Sequence, residues 1–208
     1  MKWIMILGLV ILISCMNNQK NNNQNQQNQI TQSTEAPSSF KVKVATSKGI
    51  FFLDCHKDWA PLGANRLFHL INIGFFNDVR FFRYVQNFVV QFGISGDPQS
   101  NTIWKNARIS DDPVKQSNLK GTLSFATAGP HTRTTQLFIN LTDNQRLDAM
   151  GFTPLCTVSE GMDIVEKLYS EYGEAPSNQQ PQIESEGNKF LNKNFPNLDY
   201  IIKAEIIK

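Results

Sequence analysis

The sequence predicts a mainly β fold, a closed antiparallel barrel carrying two helices. Three observations lead there. Eight short strand-like runs are separated by turn residues, only two stretches carry apolar residues at helical spacing, and Phe, with 15 of 208 residues, supplies rings for a core. Many short strands need closure, because an open sheet leaves unpaired edges.

The folded pattern begins at Phe40. Lys41-Val42-Lys43-Val44-Ala45-Thr46 alternates polar and apolar residues, as a half-buried strand does. Ser47-Lys48-Gly49 is a turn, and Ile50 to Cys55 is the second arm of a hairpin. Pro61 after Ala60 suits a first helical turn. Leu62, Leu67, Leu70 and Ile71 then recur at helical spacing, and Gly74 stops the helix. Strand-like runs follow at Val79 to Val85, Phe88 to Phe92, Gly121 to Ala126, Gln136 to Asn140 and Pro154 to Val158. A short helix is expected after Ser159-Glu160-Gly161, through Ile164, Val165 and Leu168. Gly187 to Tyr200 reads as irregular, since Pro196 bars a regular strand interior, and Tyr200 to Ile206 reads as a closing strand.

Three segments differ in composition. Residues 1–15, MKWIMILGLVILISC, place one Lys before an apolar run too short for a comfortable membrane span, and this is the order of a secretory signal. Leu12-Ile13-Ser14-Cys15 is similar to a bacterial lipobox, in which the cysteine becomes the lipid-bearing N-terminus. The alternative is an ordinary cleaved signal or a short anchor. Residues 16–39 are nearly all Asn, Gln, Ser, Thr and Lys. They bury too little apolar surface to fold and read as a disordered tether. Residues 40–208 are the domain. The expected location is therefore outside the cytoplasm, as a membrane-anchored lipoprotein of a bacterial envelope or, from a eukaryote, in the secretory lumen or medium.

Formal charge is +2 with acids and bases interspersed, so no basic stripe points to nucleic acid. His56, His69 and His131 lack ligand spacing, no Gly-x-Ser-x-Gly elbow is present, and Gly93 to Pro98 matches no phosphate loop. Asp111-Asp112-Pro113 is either a carboxylate pair or a solvated turn, and the proline directly after it favours the turn. Asn140-Leu141-Thr142 is a sequon at the end of a core strand, where it should go unused. Cys55 and Cys156 both fall on strands, either as a disulfide or as two buried thiols.

The stretch Phe81-Phe82-Arg83-Tyr84-Val85-Gln86-Asn87-Phe88-Val89-Val90-Gln91-Phe92-Gly93 sets an Arg and a Gln among rings and β-branched residues. Such an Arg needs a partner or a task, unless it lies on a solvent face. Gly121-Thr122-Leu123-Ser124-Phe125-Ala126-Thr127-Ala128-Gly129-Pro130, then Gln136-Leu137-Phe138 and Arg146-Leu147-Asp148, complete an ordered set. Together these motifs closely resemble the cyclophilin family of peptidyl-prolyl cis/trans isomerases, from about Val42 to Ile206.

The resemblance implies an eight-stranded barrel capped by two helices, with the active face outside. It implies that Arg83 is catalytic, that Phe88, Val89, Phe138 and Leu147 wall a proline pocket, and that Gln91, Ala126, Thr127 and Gln136 bind substrate. No cofactor or metal is expected. The implied partners are proline-containing peptides and folding proteins, met by a monomer. Two departures stand out. Arg146 occupies a position where many relatives have Trp, and Gly151 and Phe152 lie where a His is common, which implies weak inhibition by cyclosporin. The competing reading is a non-catalytic binding or chaperone module of the same fold.

Overall fold

The computed structural model describes residues 35–207. The apolar run of residues 1–15, the predicted lipid acceptor Cys15 and nearly all of the predicted tether lie outside the described residues. The fold begins slightly before Phe40, since Ala36 is buried and its N–H donates to Asn65 Oδ1 at 2.9 Å.

Eight antiparallel strands form one sheet. They are β1 (Ser39–Thr46), β2 (Gly49–His56), β3 (Arg83–Val85), β4 (Val89–Phe92), β5 (Thr122–Phe125), β6 (Leu137–Asn140), β7 (Pro154–Glu160) and β8 (Ile201–Ile207). Their order is β3-β4-β6-β5-β7-β2-β1-β8, and one face curls around Phe51, Phe76, Phe81, Phe125, Leu123 and Ile139, all almost fully buried. The barrel is not laddered all the way round. The predicted strand at Val79 to Val85 is regular only over its last three residues. Its first part bridges the seam between β3 and β8 through the isolated pair Arg80–Tyr200. Phe81 N–H donates to the Asp199 carbonyl at 3.0 Å, and Ile201 N–H to that of Val79 at 2.9 Å. The fold is thus a curled half-barrel with a stitched seam rather than a fully closed cylinder.

Both predicted helices form, as α1 (Pro61–Asn72) and α3 (Met162–Glu166). Three further short helices were not expected: α2 (Pro98–Trp104), α4 (Gln180–Glu186) and α5 (Asn188–Asn194). The start of α2 is legible in hindsight, because Pro98 follows Asp97, whose carboxylate caps Gln99 N–H and Ser100 N–H at 3.1 and 3.2 Å. Helix α5 overturns the irregular reading of Gly187 to Tyr200. Pro196 lies two residues past its end, where a proline is harmless. Ile183 of α4, Leu191 of α5, Phe195 and Leu198 pack with Phe82 and Ile94 in a second apolar cluster beside the barrel.

Two sequence features set aside as functional signals are structural. Asp112, read as part of a solvated turn, is buried. Its carboxylate accepts from the Leu62 and Gly63 N–H groups at 2.9 Å each, capping α1 from 50 residues away, and pairs with Arg133 at 3.1 Å. Asn140 of the sequon is fully buried and donates to Thr122 Oγ1 at 2.8 Å. Cys55 and Cys156 oppose each other directly across β2 and β7, with Cα atoms 4.0 Å apart, and form a disulfide.

Candidate active site

The strand pairing gathers the site. Arg83 on β3 sits opposite Gln91 on β4, and Gln91 sits opposite Phe138 on β6. Residues directly opposite one another on neighbouring antiparallel strands put their side chains on the same face, so three motifs distant in sequence meet on the outside of the sheet. Gly93 makes this possible. Its φ is +107°, and a Cβ there would strike the Thr135 carbonyl and come within 2.8 Å of Gln136 Cα. Only glycine lets β4 pass that close to the entry of β6.

The cluster Val89, Phe138 and Leu147, flanked by Phe88, Ala126 and Phe152, forms an apolar wall. It encloses a cavity of about 140 Å³ that also touches Arg83, Gln91 and Thr127. Of the nine site residues named from sequence, eight line this cavity. The ninth, Gln136, lines a second hollow of about 350 Å³ next to it, which shares Gln91, Ala126 and Thr127 and carries Lys105, Arg108 and Glu184.

The polar edge is a chain of side chains. Arg83 Nη1 donates to Gln91 Oε1 at 3.3 Å, Gln91 Nε2 to Gln136 Oε1 at 2.8 Å, and Gln136 Nε2 to Gln180 Oε1 at 3.0 Å. On its other side Arg83 donates from Nε and Nη2 to Glu174 Oε1, at 2.8 and 2.5 Å. Arg146 lies over the Phe88 ring at 4.7 Å, with Arg83 at 5.7 Å from the same ring.

Leu147 is held by a turn whose anchor is Asp148. That carboxylate accepts from Asn118 N–H at 2.8 Å, Asn118 Nδ2 at 2.7 Å and Ser117 Oγ at 2.5 Å. Burial pushes the Asp148 carboxyl up, but the Ser117 and Asn118 hydrogen bonds outweigh it and leave the pKa below its ordinary value. Asn118 also donates to the Phe152 carbonyl at 2.8 Å, tying a second wall residue to the same anchor. The Leu-Asp pair of the sequence is thus a wall residue and its fastening.

Sequence reasoning missed three residues here. Phe152 was visible only as a departure from the resembled family, and it packs edge-on against Phe138 at 5.5 Å. Glu174 and Gln180 lie in no motif. The three histidines do not enter the site. His56 stacks on Trp59, and His131 lies beside Asp111. Among the described residues no group of three or more His, Cys, Asp or Glu side chains is placed to hold a metal ion.

Comparison with known proteins agrees with this geometry. A family model described as cyclophilin type peptidyl-prolyl cis-trans isomerase/CLD matches residues 41–187. The chain belongs to the cyclophilin-type peptidyl-prolyl cis-trans isomerases. This family is one of isomerases that act on proline-containing peptides and proteins. A peptidyl-prolyl cis-trans isomerase of Acinetobacter baylyi is 29% identical over 147 residues, 65% of this chain and 75% of that protein. Peptidyl-prolyl cis-trans isomerase A of Dickeya dadantii is 31% identical over 145 residues, 64% of this chain and 73% of that protein. The fold matches the crystal structure of a Cryptosporidium parvum cyclophilin type isomerase with a TM-score of 0.59, at 17% identity, covering 82% of this chain and 98% of that one.

Proposed function

We propose that this cyclophilin accelerates Xaa-Pro rotation in exported proteins by donating a hydrogen bond from Arg83 to the proline nitrogen as the amide twists. Resonance holds the amide planar with a barrier of roughly 18–20 kcal/mol, so the uncatalysed change takes roughly tens to hundreds of seconds. At the twisted state the nitrogen regains its lone pair and becomes an acceptor. A donor waiting there binds the transition state and not the ground state, which is the condition for lowering a barrier. Arginine suits the task because its charge is permanent and its donors are planar and fixed.

The observation that carries this reading is the placement of Arg83 at the rim of an apolar cavity, with its guanidinium already held on two sides. The wall of Val89, Phe138, Leu147 and Phe152 receives the proline ring and excludes water, which strengthens the contact at the rim. Ala126 and Thr127, just past the end of β5, present their backbone to the peptide, and Gln91 and Gln136 fix its carbonyls. No covalent bond forms between substrate and protein in this mechanism, so it calls for no nucleophile or cofactor.

The test is protease-coupled turnover of an Xaa-Pro peptide. Wild type accelerates the slow phase, and Arg83→Ala, folded by circular dichroism, loses about tenfold to a hundredfold, the equivalent of one charge-assisted hydrogen bond. Wild-type turnover in the folded variant assigns the role elsewhere. No turnover by wild type leaves the fold as a binding module.

The export reading rests on the apolar run before Cys15 and on the Asn/Gln-rich segment after it. In a bacterial host, mass spectrometry of the mature N-terminus should find an acylated Cys15, and two or three chains suffice for stable anchoring. A mature terminus beyond Asn17 with no acyl mass ends the lipoprotein reading.

A further inference from the structure

We infer that Glu174 is a positioning residue for the isomerase reaction, one that sets the orientation of the Arg83 guanidinium from outside the motif-bearing strands. The inference rests on the role proposed above for Arg83.

A guanidinium carries five N–H donors. Glu174 Oε1 takes one from Nε and one from Nη2, and Gln91 takes one from Nη1. One hydrogen on each terminal nitrogen is left over to meet a substrate. A flexible arginine side chain loses much rotamer freedom when it settles into one pose. Clamping the group on two sides meets that cost before the substrate arrives, which is what preorganisation means for a donor that must find a short-lived nitrogen.

Glu174 is itself held. Strand β3 is an edge strand, and its Tyr84 N–H, the residue next to Arg83, donates to the Gly173 carbonyl at 3.2 Å. The Glu174 carbonyl accepts from Ser177 Oγ at 2.8 Å and from Asn178 N–H at 3.1 Å. Tyr172 packs against Phe195 at 5.2 Å, inside the second apolar cluster. The same segment returns to the site six residues later, where Gln180 accepts from Gln136. Both ends of the chain Glu174–Arg83–Gln91–Gln136–Gln180 therefore hang from one anchored piece of backbone. A carboxylate fixed to the edge of β3 is built to orient its partner. A mobile competitor for the substrate would not need this anchoring.

The test compares wild type with Glu174→Ala and Glu174→Gln. The readouts are catalysed exchange and affinity for one Xaa-Pro peptide, both by NMR, the solvent exchange of the Arg83 Nε–H, and the urea midpoint. Glu174→Ala should lose about fivefold to tenfold in catalysed rate with affinity changed less than about twofold, one acceptor's share of the barrier. Its Arg83 Nε–H should exchange faster with water. Glu174→Gln keeps an oxygen acceptor and should recover most of the rate and of the Nε–H protection. Because Glu174 is exposed, neither variant should move the urea midpoint appreciably. Wild-type rate and affinity in Glu174→Ala would overturn the inference. So would a faster rate or tighter binding, which marks the carboxylate as a competitor, or equal losses in both variants with a lowered midpoint, which marks a merely structural contact. If wild type itself lacks activity, the proposed function fails, while the Nε–H exchange still reports whether Glu174 holds Arg83.

Discussion

The apolar wall and the polar edge of the site are built in different ways. The wall comes from β4, β6 and the turn at Leu147, short motifs that ladder pairing brings together. The edge depends on Glu174 and Gln180, which reach Arg83 and Gln136 from 91 and 44 residues away. The wall is fixed by the barrel's own ladder. The edge is fixed by the second apolar cluster, where α4 and α5 pack on Phe82 and Ile94. Damage to the first region should therefore appear in binding, and damage to the second in rate.

The largest effect should come from the wall. Phe138 is buried, lines the cavity and packs on Phe152. Phe138→Ala should cost about 3 kcal/mol of stability and weaken peptide binding more than about tenfold, a loss of more than about 1.4 kcal/mol. Urea unfolding and peptide titration read both. Affinity unchanged in the folded variant would mean that this cavity does not receive the proline.

Next comes the support of the edge. Ile183 is fully buried at the centre of the second cluster. Ile183→Ala should cost about 2 kcal/mol in urea and slow catalysis several-fold while affinity stays close to wild type. Loss of affinity with an unchanged catalysed rate would erase the distinction between the two regions.

The smallest effect concerns the fastening of the wall. Asp148 has a lower pKa in the fold than in the unfolded chain, so its contribution is fully present above the unfolded carboxylate value. That contribution is lost as pH falls through the folded value beneath it. Asp148→Asn should be less stable than wild type at neutral pH by about 1 kcal/mol, and the gap should close below about pH 4. A gap that widens on acidification would contradict the assignment.

These regions also differ in how much the sequence disclosed. The eight strands and both predicted helices were legible because alternation and helical spacing are local signals. Phe88, Val89, Phe138 and Leu147 were named only through the family resemblance, and Phe152 was not named as a wall residue. Gln91 and Gln136 were legible through the resemblance. Glu174 was not, because its contact with Arg83 is created by the docking of a turn on the edge of β3, and nothing within a few residues of Glu174 marks it. Asp112 is a parallel case. Its sequence setting is that of a surface turn, yet it caps α1 across 50 residues. The barrel seam was overestimated for a related reason. Val79 to Val85 reads as one strand-like run, but only Arg83–Val85 finds a ladder partner, and the rest is spent joining β3 to β8. The α5 helix was misjudged because Pro196 was weighed against a strand when it lies beyond a helix end.

In the mechanism proposed above, Arg83 acts on the twisted amide and the wall holds the ring. The most direct measurement is NMR exchange on one Xaa-Pro peptide, giving affinity and catalysed interconversion from the same spectra for wild type and Arg83→Ala. Arg83→Ala should lose at least about tenfold in interconversion while its affinity stays within about threefold, if the guanidinium bonds the nitrogen only in the transition state. A variant that binds the peptide tenfold more weakly but interconverts the bound peptide at the wild-type rate would contradict it, because Arg83 would then be a ground-state anchor.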